Sequence, residues 1–379
     1  MTSDVPNLRF PEFQGEWEEE RLADIADLYK GTSISKDQLS DDGEPCILYG
    51  ELYTKYKSET IREVISKTNI DNTKLVRSKA NDVIIPCSGE TAEDIATARC
   101  VLNGNILLGG DLNIIRLHGY DGTFMSYQLN GKRKYDIAKV AQGVSVVHLY
   151  GEHLKGVKTI NPCLTEQKKI ASLLTLLDKR IATQNKIIED LKKLKYAISK
   201  KLLCNDKWTT YKIQDIAEIG RGRVISSIEI DRQKHPLYPV YSSQTSNDGI
   251  MGYLDNYMFD GEYITWTTDG ANAGTVFYRK GKFNCTNVCG TLKIQPRFDC
   301  YFVSLVLQQA TQKYVSSNLA NPKLMNNTMA SIKIRMPNIE TQKQLSEVFQ
   351  ALDGCLFIHQ RTCEMYLKEK QYLLRQMFI

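Results

Sequence analysis

NPCLTEQKKIASLLTLLDKRI (residues 161–181) and MPNIETQKQLSEVFQALDGCL (residues 336–356) are two versions of one segment. At a constant offset of 175, Pro162 matches Pro337, Gln167 matches Gln342, Lys168 matches Lys343, Leu177 matches Leu352 and Asp178 matches Asp353. Beyond the proline, apolar residues step by alternating three and four: Ile170, Leu174, Leu177, Ile181, Ile188, Leu191, Ile198 and Leu202. The second copy steps the same way, through Leu345, Phe349, Leu352, Leu356, Cys363, Tyr366, Leu373 and Met377. That 3.5-residue spacing is the seam of a coiled coil. Two seam positions in each copy are polar, Gln184 with Lys195 and His359 with Lys370. Polar seam residues cost stability and fix register. From Glu166 to Leu202 the segment runs 37 residues, roughly 55 Å of helix at about 1.5 Å per residue. Thr165 and Thr341 are the expected N-caps.

A second repeat precedes each helix. WEEERLADIADLYKGTSIS (residues 17–35) returns as WTTYKIQDIAEIGRGRVIS (residues 208–226), offset by 191. It aligns Trp17 with Trp208, Asp24 with Asp215, Ala26 with Ala217 and Gly31 with Gly222. The two offsets differ because the second copy is sixteen residues shorter between its Trp and its Gln. The order is A–B–A′–B′. Residues 1–162 and 206–338 are predicted as two similar mixed α/β domains, and 163–205 and 339–379 as helical spacers. The A segments carry short β-rich runs (NDVIIPC, NIIRLH, EYITWTT, GTVFYRK, GTLKIQ) broken by Gly, Asn and Asp, with a short leading helix expected at Leu22–Leu28 and Ile213–Ile219. The fold class is α+β: two related domains separated by a long antiparallel two-helix coiled coil, with pseudo-two-fold order. Two amphipathic helices, each packed on its own domain, are the alternative arrangement.

The remaining composition narrows the function. The chain has 379 residues, 42% of them hydrophobic and 25% charged, with a net charge of +5. So small a balance does not by itself demand nucleic acid. No apolar run is long enough to span a membrane, and no export signal opens the chain. The ten cysteines are scattered, as in a reduced, cytoplasmic protein; Cys285 and Cys289 lack the partners that would complete a zinc site.

Catalytic motifs are missing. NPCL at Asn161 lacks the second proline and the aromatic of an amino-methyltransferase turn, and no G-x4-G-K-[ST] phosphate loop exists. EQK at Glu166–Lys168 falls on the seam helix, and the five histidines make no H-x-x-x-H pair. A stand-alone nuclease or fused restriction enzyme with an unfamiliar active site is one rival reading, and a coiled-coil adaptor that does not touch DNA is another.

LRFPEFQGEWEEERLADIADLYKG (residues 8–31), with the repeated Pro-x-x-x-x-Gln lead into a long helix carrying a Leu-Asp pair, resembles the start and the spacers of specificity (S) subunits of type I restriction-modification enzymes. The resemblance extends over the whole chain and its two-fold order. It implies two target recognition domains, each reading one half of a split, non-palindromic site in double-stranded DNA, and helices that set the gap. It further implies a subunit without a catalytic centre and without a cofactor of its own. Two modification subunits would bind S-adenosylmethionine and methylate adenine; restriction subunits would translocate and cut.

Base readout needs Arg, Lys, Asn, Gln or acids at groove edges, and phosphate contacts use Lys, Arg, hydroxyls and loop amides. The candidates in the first domain are Lys30, Gly31 and Ser33 in LYKGTSIS, Ser88 and Gly89 in PCSGETAE, and Lys132, Arg133, Lys139 and Gln142 in NGKRKYDIAKVAQG. In the second they are Arg221 and Arg223 in GRGRVIS, and Ser242, Ser243 and Gln244 in VYSSQTSNDG. Thr268, Asp269 and Asn272 follow in TTDGANAGTV, then Asn318, Asn321 and Lys323 in SSNLANPKLMN.

Overall fold

A computed structural model describes residues 5–32, 34–71, 74–143, 146–203, 205–316 and 321–379. The chain forms two compact units. The first is Met1–Lys186 with Gln360–Ile379, and the second is Ile187–His359. The division falls inside both long helices, Leu164–Leu202 and Ile339–Gln376.

The core of the first unit is a five-stranded sheet. Its order is Ala26–Lys30, Leu112–Leu117, Asp82–Pro86, Arg99–Val101, Thr60–Ile61. Asp82–Pro86 is wholly buried; its middle, Val83–Ile85, is apolar without a break, as suits a central strand, and the buried Asp82 is paired with Arg116 at 2.7 Å. A four-stranded sheet containing Leu107–Leu108 and Glu44–Ile47 lies beside it in sequence. The second unit has a four-stranded counterpart, ordered Ala217–Arg221, Cys289–Ile294, Glu262–Thr267, Val276–Lys280. A three-stranded sheet built on Tyr238–Tyr241 accompanies it.

Two local expectations change. The leading helices are a single turn each, Leu22–Ile25 and the 3-10 turn Ile213–Asp215. Ala26–Lys30 and Ala217–Arg221 are instead edge strands, because their alternating side chains pair antiparallel with Leu112–Leu117 and Cys289–Ile294. Thr165 and Thr341 lie within the first helical turn, and in the second helix the cap is Asn338, whose Oδ1 accepts the Thr341 N–H at 2.9 Å. The repeated glycine is explained by close approach. A Cβ on Gly31 would stand 2.0 Å from the Gly109 carbonyl oxygen, and one on Gly222 2.1 Å from that of Cys285.

The Pro-x-x-x-x-Gln repeat is a docking latch. Gln167 donates from Nε2 to the Pro162 carbonyl (2.8 Å) and accepts the Asp121 N–H (2.9 Å). Gln342 repeats both bonds with Pro337 (2.8 Å) and Asp299 (3.0 Å). Each aspartate in turn caps a helix within its unit, accepting the N–H of Phe124 (2.8 Å) or Phe302 (2.7 Å). Those phenylalanines meet Trp17 and Trp208 edge-on, both at 5.9 Å. The repeated Trp and the repeated Gln therefore converge on one short helix in each unit.

Within each unit the long helices run antiparallel. In the first, Lys370 Nζ reaches Asp178 at 2.7 Å and Cys363 Sγ reaches Asn185 Oδ1 at 3.5 Å. Ile170 and Leu174 there share a cluster with Met377 and Phe378. In the second unit, Lys195 pairs with Asp353. Each seam lysine thus meets the aspartate of the Leu-Asp pair on the other helix. A tyrosine completes both sites: the hydroxyls of Tyr127 and Tyr301 donate to Asp178 and Asp353, each at 2.6 Å. Burial beside a carboxylate pushes both phenols well above their ordinary range. The seam keeps its predicted phase with one slip at its end, where Leu203 is buried and Leu202 is 37% exposed.

Candidate nucleic-acid interface

Strand register makes the two units comparable residue by residue. Asn113 pairs with Lys30 and Gly290 with Arg221. Leu112 faces Pro86, and Cys289 faces Thr267. Two steps past those strand ends stand Ser88 and Asp269. Each faces a return segment that donates a backbone N–H to the residue before it, Leu149 to the Cys87 carbonyl at 2.8 Å and Leu324 to the Thr268 carbonyl at 2.9 Å. The equivalent sets are accordingly Lys30, Ser88 and His148 in the first unit and Arg221, Asp269 and Lys323 in the second.

In the second unit the set is cross-linked. Arg221 donates to the Asn287 carbonyl (2.5 Å), Thr268 Oγ1 (3.0 Å) and Asp269 Oδ2 (3.3 Å). The Thr268 hydroxyl donates to Asp269 (2.7 Å), and Lys323 lies 3.5 Å from the other Asp269 oxygen. Arg221 and Lys323 remain 35% and 40% exposed. A guanidinium oriented this way loses little side-chain freedom when a phosphate or a guanine edge arrives. Asn321 lies close to Gly270 in the same loop pair.

The counterpart in the first unit is softer. Ser88 Oγ lies 3.3 Å from His148 Nδ1, and the two residues pair antiparallel. The His148 ring stacks on Tyr150 at 6.1 Å, and Tyr150 meets His153 edge-on at 5.6 Å. Gln142 contacts His153 Nε2 at 3.4 Å and exchanges backbone bonds with His148. Lys30 is 63% exposed, with a long pairing to Asp111 at 3.8 Å. Gly31 and Gly89 are packing positions, since a Cβ on Gly89 would press on Ile95 at 3.3 Å.

Other predicted residues fall elsewhere. Lys132 lines a groove of about 380 Å³ with Gln371, Leu374 and Arg375, and Arg133 bonds Asp136 (3.4 Å) and the Ile379 carbonyl (3.3 Å). Both stand on the helix side of the unit. Lys139 covers the exposed Tyr135 ring at 4.3 Å. Arg223 grips Glu229 with both guanidinium nitrogens. Ser242, Ser243, Gln244 and Asn272 build a loop: Ser242 N–H donates to the Gly249 carbonyl (2.9 Å) and Asn272 Nδ2 to the Ser243 carbonyl (3.2 Å). The Gln244 amide donates to the Ile250 carbonyl. Ser33 and Asn318 lie outside the described residues.

Sequence reasoning missed His148 and Tyr150, and it missed the first-unit loop after Glu44–Ile47. Gly109 N–H donates to the Ile47 carbonyl as Thr286 N–H donates to that of Tyr241, so Tyr49 occupies the place of Ser243. Tyr49 and Tyr53 line a cleft of about 730 Å³ with Ile34, Lys36 and Glu90. Among the described residues, no group of three or more His, Cys, Asp or Glu is placed to hold a metal ion, and no helix is long and apolar enough to cross a membrane.

Known proteins share this arrangement. The structure matches the type I restriction-modification S subunit of M. genitalium over 99% of both chains, with a TM-score of 0.73 at 18% identity. It matches a type I R-M structure described for complex assembly and conformational transition over 94% of this chain and 96% of that one, with a TM-score of 0.53 at 12% identity. In sequence it is 36% identical over 232 residues to S.MpnORF201P of Mycoplasma pneumoniae, which carries the name of a type I specificity subunit, covering 58% of this chain and 93% of that one. The specificity subunit of the type I restriction enzyme MpnII, from the same organism, is 38% identical over 178 residues, 46% of this chain and 53% of its own. The sequence pattern of the type I restriction modification DNA specificity domain matches residues 14–193 and again 205–364. The chain belongs to that family, as a type I specificity subunit with two recognition domains.

Proposed function

We propose that each unit reads one half of a bipartite, non-palindromic site in double-stranded DNA, and that the long helices set the gap between the halves. One observation carries this reading: equivalent strand ends present different side chains, Lys30, Ser88 and His148 against Arg221, Asp269 and Lys323. Like frames with unlike contacts read unlike sequences. The chain supplies no catalysis, works in the cytoplasm and binds no S-adenosylmethionine. It docks two modification subunits that carry the methyl donor, and restriction subunits join the full complex. Exposed apolar residues on the long helices support docking: Leu194, Tyr196, Val348, Met365 and Tyr372 are between 47% and 70% exposed, more apolar surface than a solvated helix pair needs.

The test is selection from a randomised DNA library by the chain with its modification partner. Two unlike motifs at a fixed separation are expected. Inserting a heptad into both helices, roughly 10 Å of rod, changes the separation and leaves both motifs intact. A single unbroken motif, or methyl transfer by the purified chain alone, defeats the proposal.

A further inference from the structure

In the second unit the loop Ser242–Ile250 is held from beneath by a buried cation. Arg279 is 4% exposed. Its guanidinium lies 3.6 Å over the Tyr241 ring and 4.4 Å from that of Phe277. It donates to Asp248 Oδ2 (2.7 Å), to the Asp248 carbonyl (2.8 Å) and to Thr265 Oγ1 (3.3 Å). A buried charge is costly unless its donors are satisfied, and here the satisfying partner is the loop itself.

What the clamp holds is strained. Asn247, Asp248 and Gly249 are consecutive left-handed residues, at φ 49°, 53° and 79°. Side chains other than glycine adopt that region at a cost, and asparagine and aspartate tolerate it best. Such a run persists where its surroundings impose it. Its effect is to leave Thr245, Ser246, Asn247 and Asp248 exposed, while Ser242 and Gln244 are half-buried, Ser242 bonded through its backbone N–H to the Gly249 carbonyl and Gln244 through its side-chain amide to that of Ile250. Asp248 is committed to Arg279. Among the described residues Asn247 reaches the Ile250 carbonyl alone, at 3.5 Å, the limit of a hydrogen bond.

We propose that base reading by this loop belongs to its tip, with Asn247 contacting a base edge and Arg279 acting as the positioning residue that fixes the tip. This rests on the reading of the chain as a DNA specificity subunit and shifts the contact from Ser242–Gln244 to Thr245–Asn247. The ligand is an adenine edge in the major groove, whose N6 donor and N7 acceptor match an asparagine amide.

The test is library selection by the full chain with its modification partner, comparing wild type, Asn247→Gly, Arg279→Lys and Arg279→Met. Asn247→Gly keeps the left-handed backbone and removes only the amide. It is expected to lower preference at one base pair of the second half-site about 5- to 150-fold with the first half-site and the melting temperature unchanged. Arg279→Met is expected to blur the whole second half-site, and Arg279→Lys, which keeps one donor on Asp248, to restore part of it. An unchanged second half-site in Asn247→Gly overturns the assignment. So does a loss by Arg279→Met that falls equally on both half-sites. Failure of wild type to select any bipartite motif instead defeats the functional reading, and the assignment falls with it.

Discussion

Replacing Lys370 with methionine tests what holds the first unit to the second long helix. Lys370 Nζ sits 2.6 Å from Glu59 and 2.7 Å from Asp178, and the three side chains are only 13%, 12% and 9% exposed. Methionine fills the space and leaves two carboxylates buried without their cation. Breaking a buried pair this way costs about 3–5 kcal/mol, which for a unit of roughly 200 residues lowers its melting temperature by about 6–20 °C. The repeat supplies the control. Lys195 and Asp353 make the same contact at 24% and 40% exposure, where solvent screens the pair and Lys195→Met costs about 1 kcal/mol or less. The pH dependence separates charge from packing. Burial holds Glu59 above the ordinary carboxylate range, against the opposing pull of Lys370. A raised carboxyl contributes stability that is full below its unfolded pKa and is lost as pH rises through its folded one. Removing Lys370 carries that loss to higher pH, so the gap between variant and wild type widens toward neutrality and narrows in acid. Calorimetry, with each transition assigned to its unit by hydrogen exchange, reads both effects. Equal losses in the two lysine variants, or a gap indifferent to pH, refute the argument.

Three further outcomes follow from the same geometry. Gly31→Ala and Gly222→Ala each force a Cβ to about 2 Å from a carbonyl oxygen and should each destabilise their own unit by about 1–3 kcal/mol, seen as faster hydrogen exchange in Leu112–Leu117 or Cys289–Ile294. Gln342→Ala strands a half-buried N–H and a half-buried carbonyl and should cost about 1–3 kcal/mol in urea unfolding. Lys343→Ala, equally repeated but exposed, should stay within about 0.5 kcal/mol. Lys30→Ala should lower the salt slope of DNA binding by about one and weaken all sequences alike; a changed motif would make Lys30 a base reader.

Periodicity exposed the seam because burial on a helix repeats locally, so Ile170 to Ile198 and Leu345 to Met377 could be phased from spacing alone. The polar seam positions Lys195 and Lys370 were equally visible. Their partners were not, since Asp353 and Asp178 lie 158 and 192 residues away. The repeated glycine was plain in the sequence, yet its cause, a carbonyl of another strand, is a tertiary fact. At the candidate interface, turn chemistry located the loops but not the hydrogen bonds their side chains make. The Gln244 amide, a candidate contact by sequence, bonds the Ile250 carbonyl within its own loop. Lys132 and Arg133, candidates in the same stretch as Gln142, face residues 371–379. His148 carried no local signal; it enters the candidate set through its pairing with Ser88.

The first unit closes over residues that are made only after the whole of the second. Phe378 stacks on Phe124 at 5.2 Å, and Met377 joins the cluster around Trp17. Between Lys186 and Gln360 the ribosome must add 173 residues, about 9–35 s of synthesis. During that interval the nascent first head waits with an aromatic face uncovered, whereas the second, contiguous in sequence, is complete as soon as its own residues are made. Slower synthesis of the intervening residues lengthens the time that face stays uncovered.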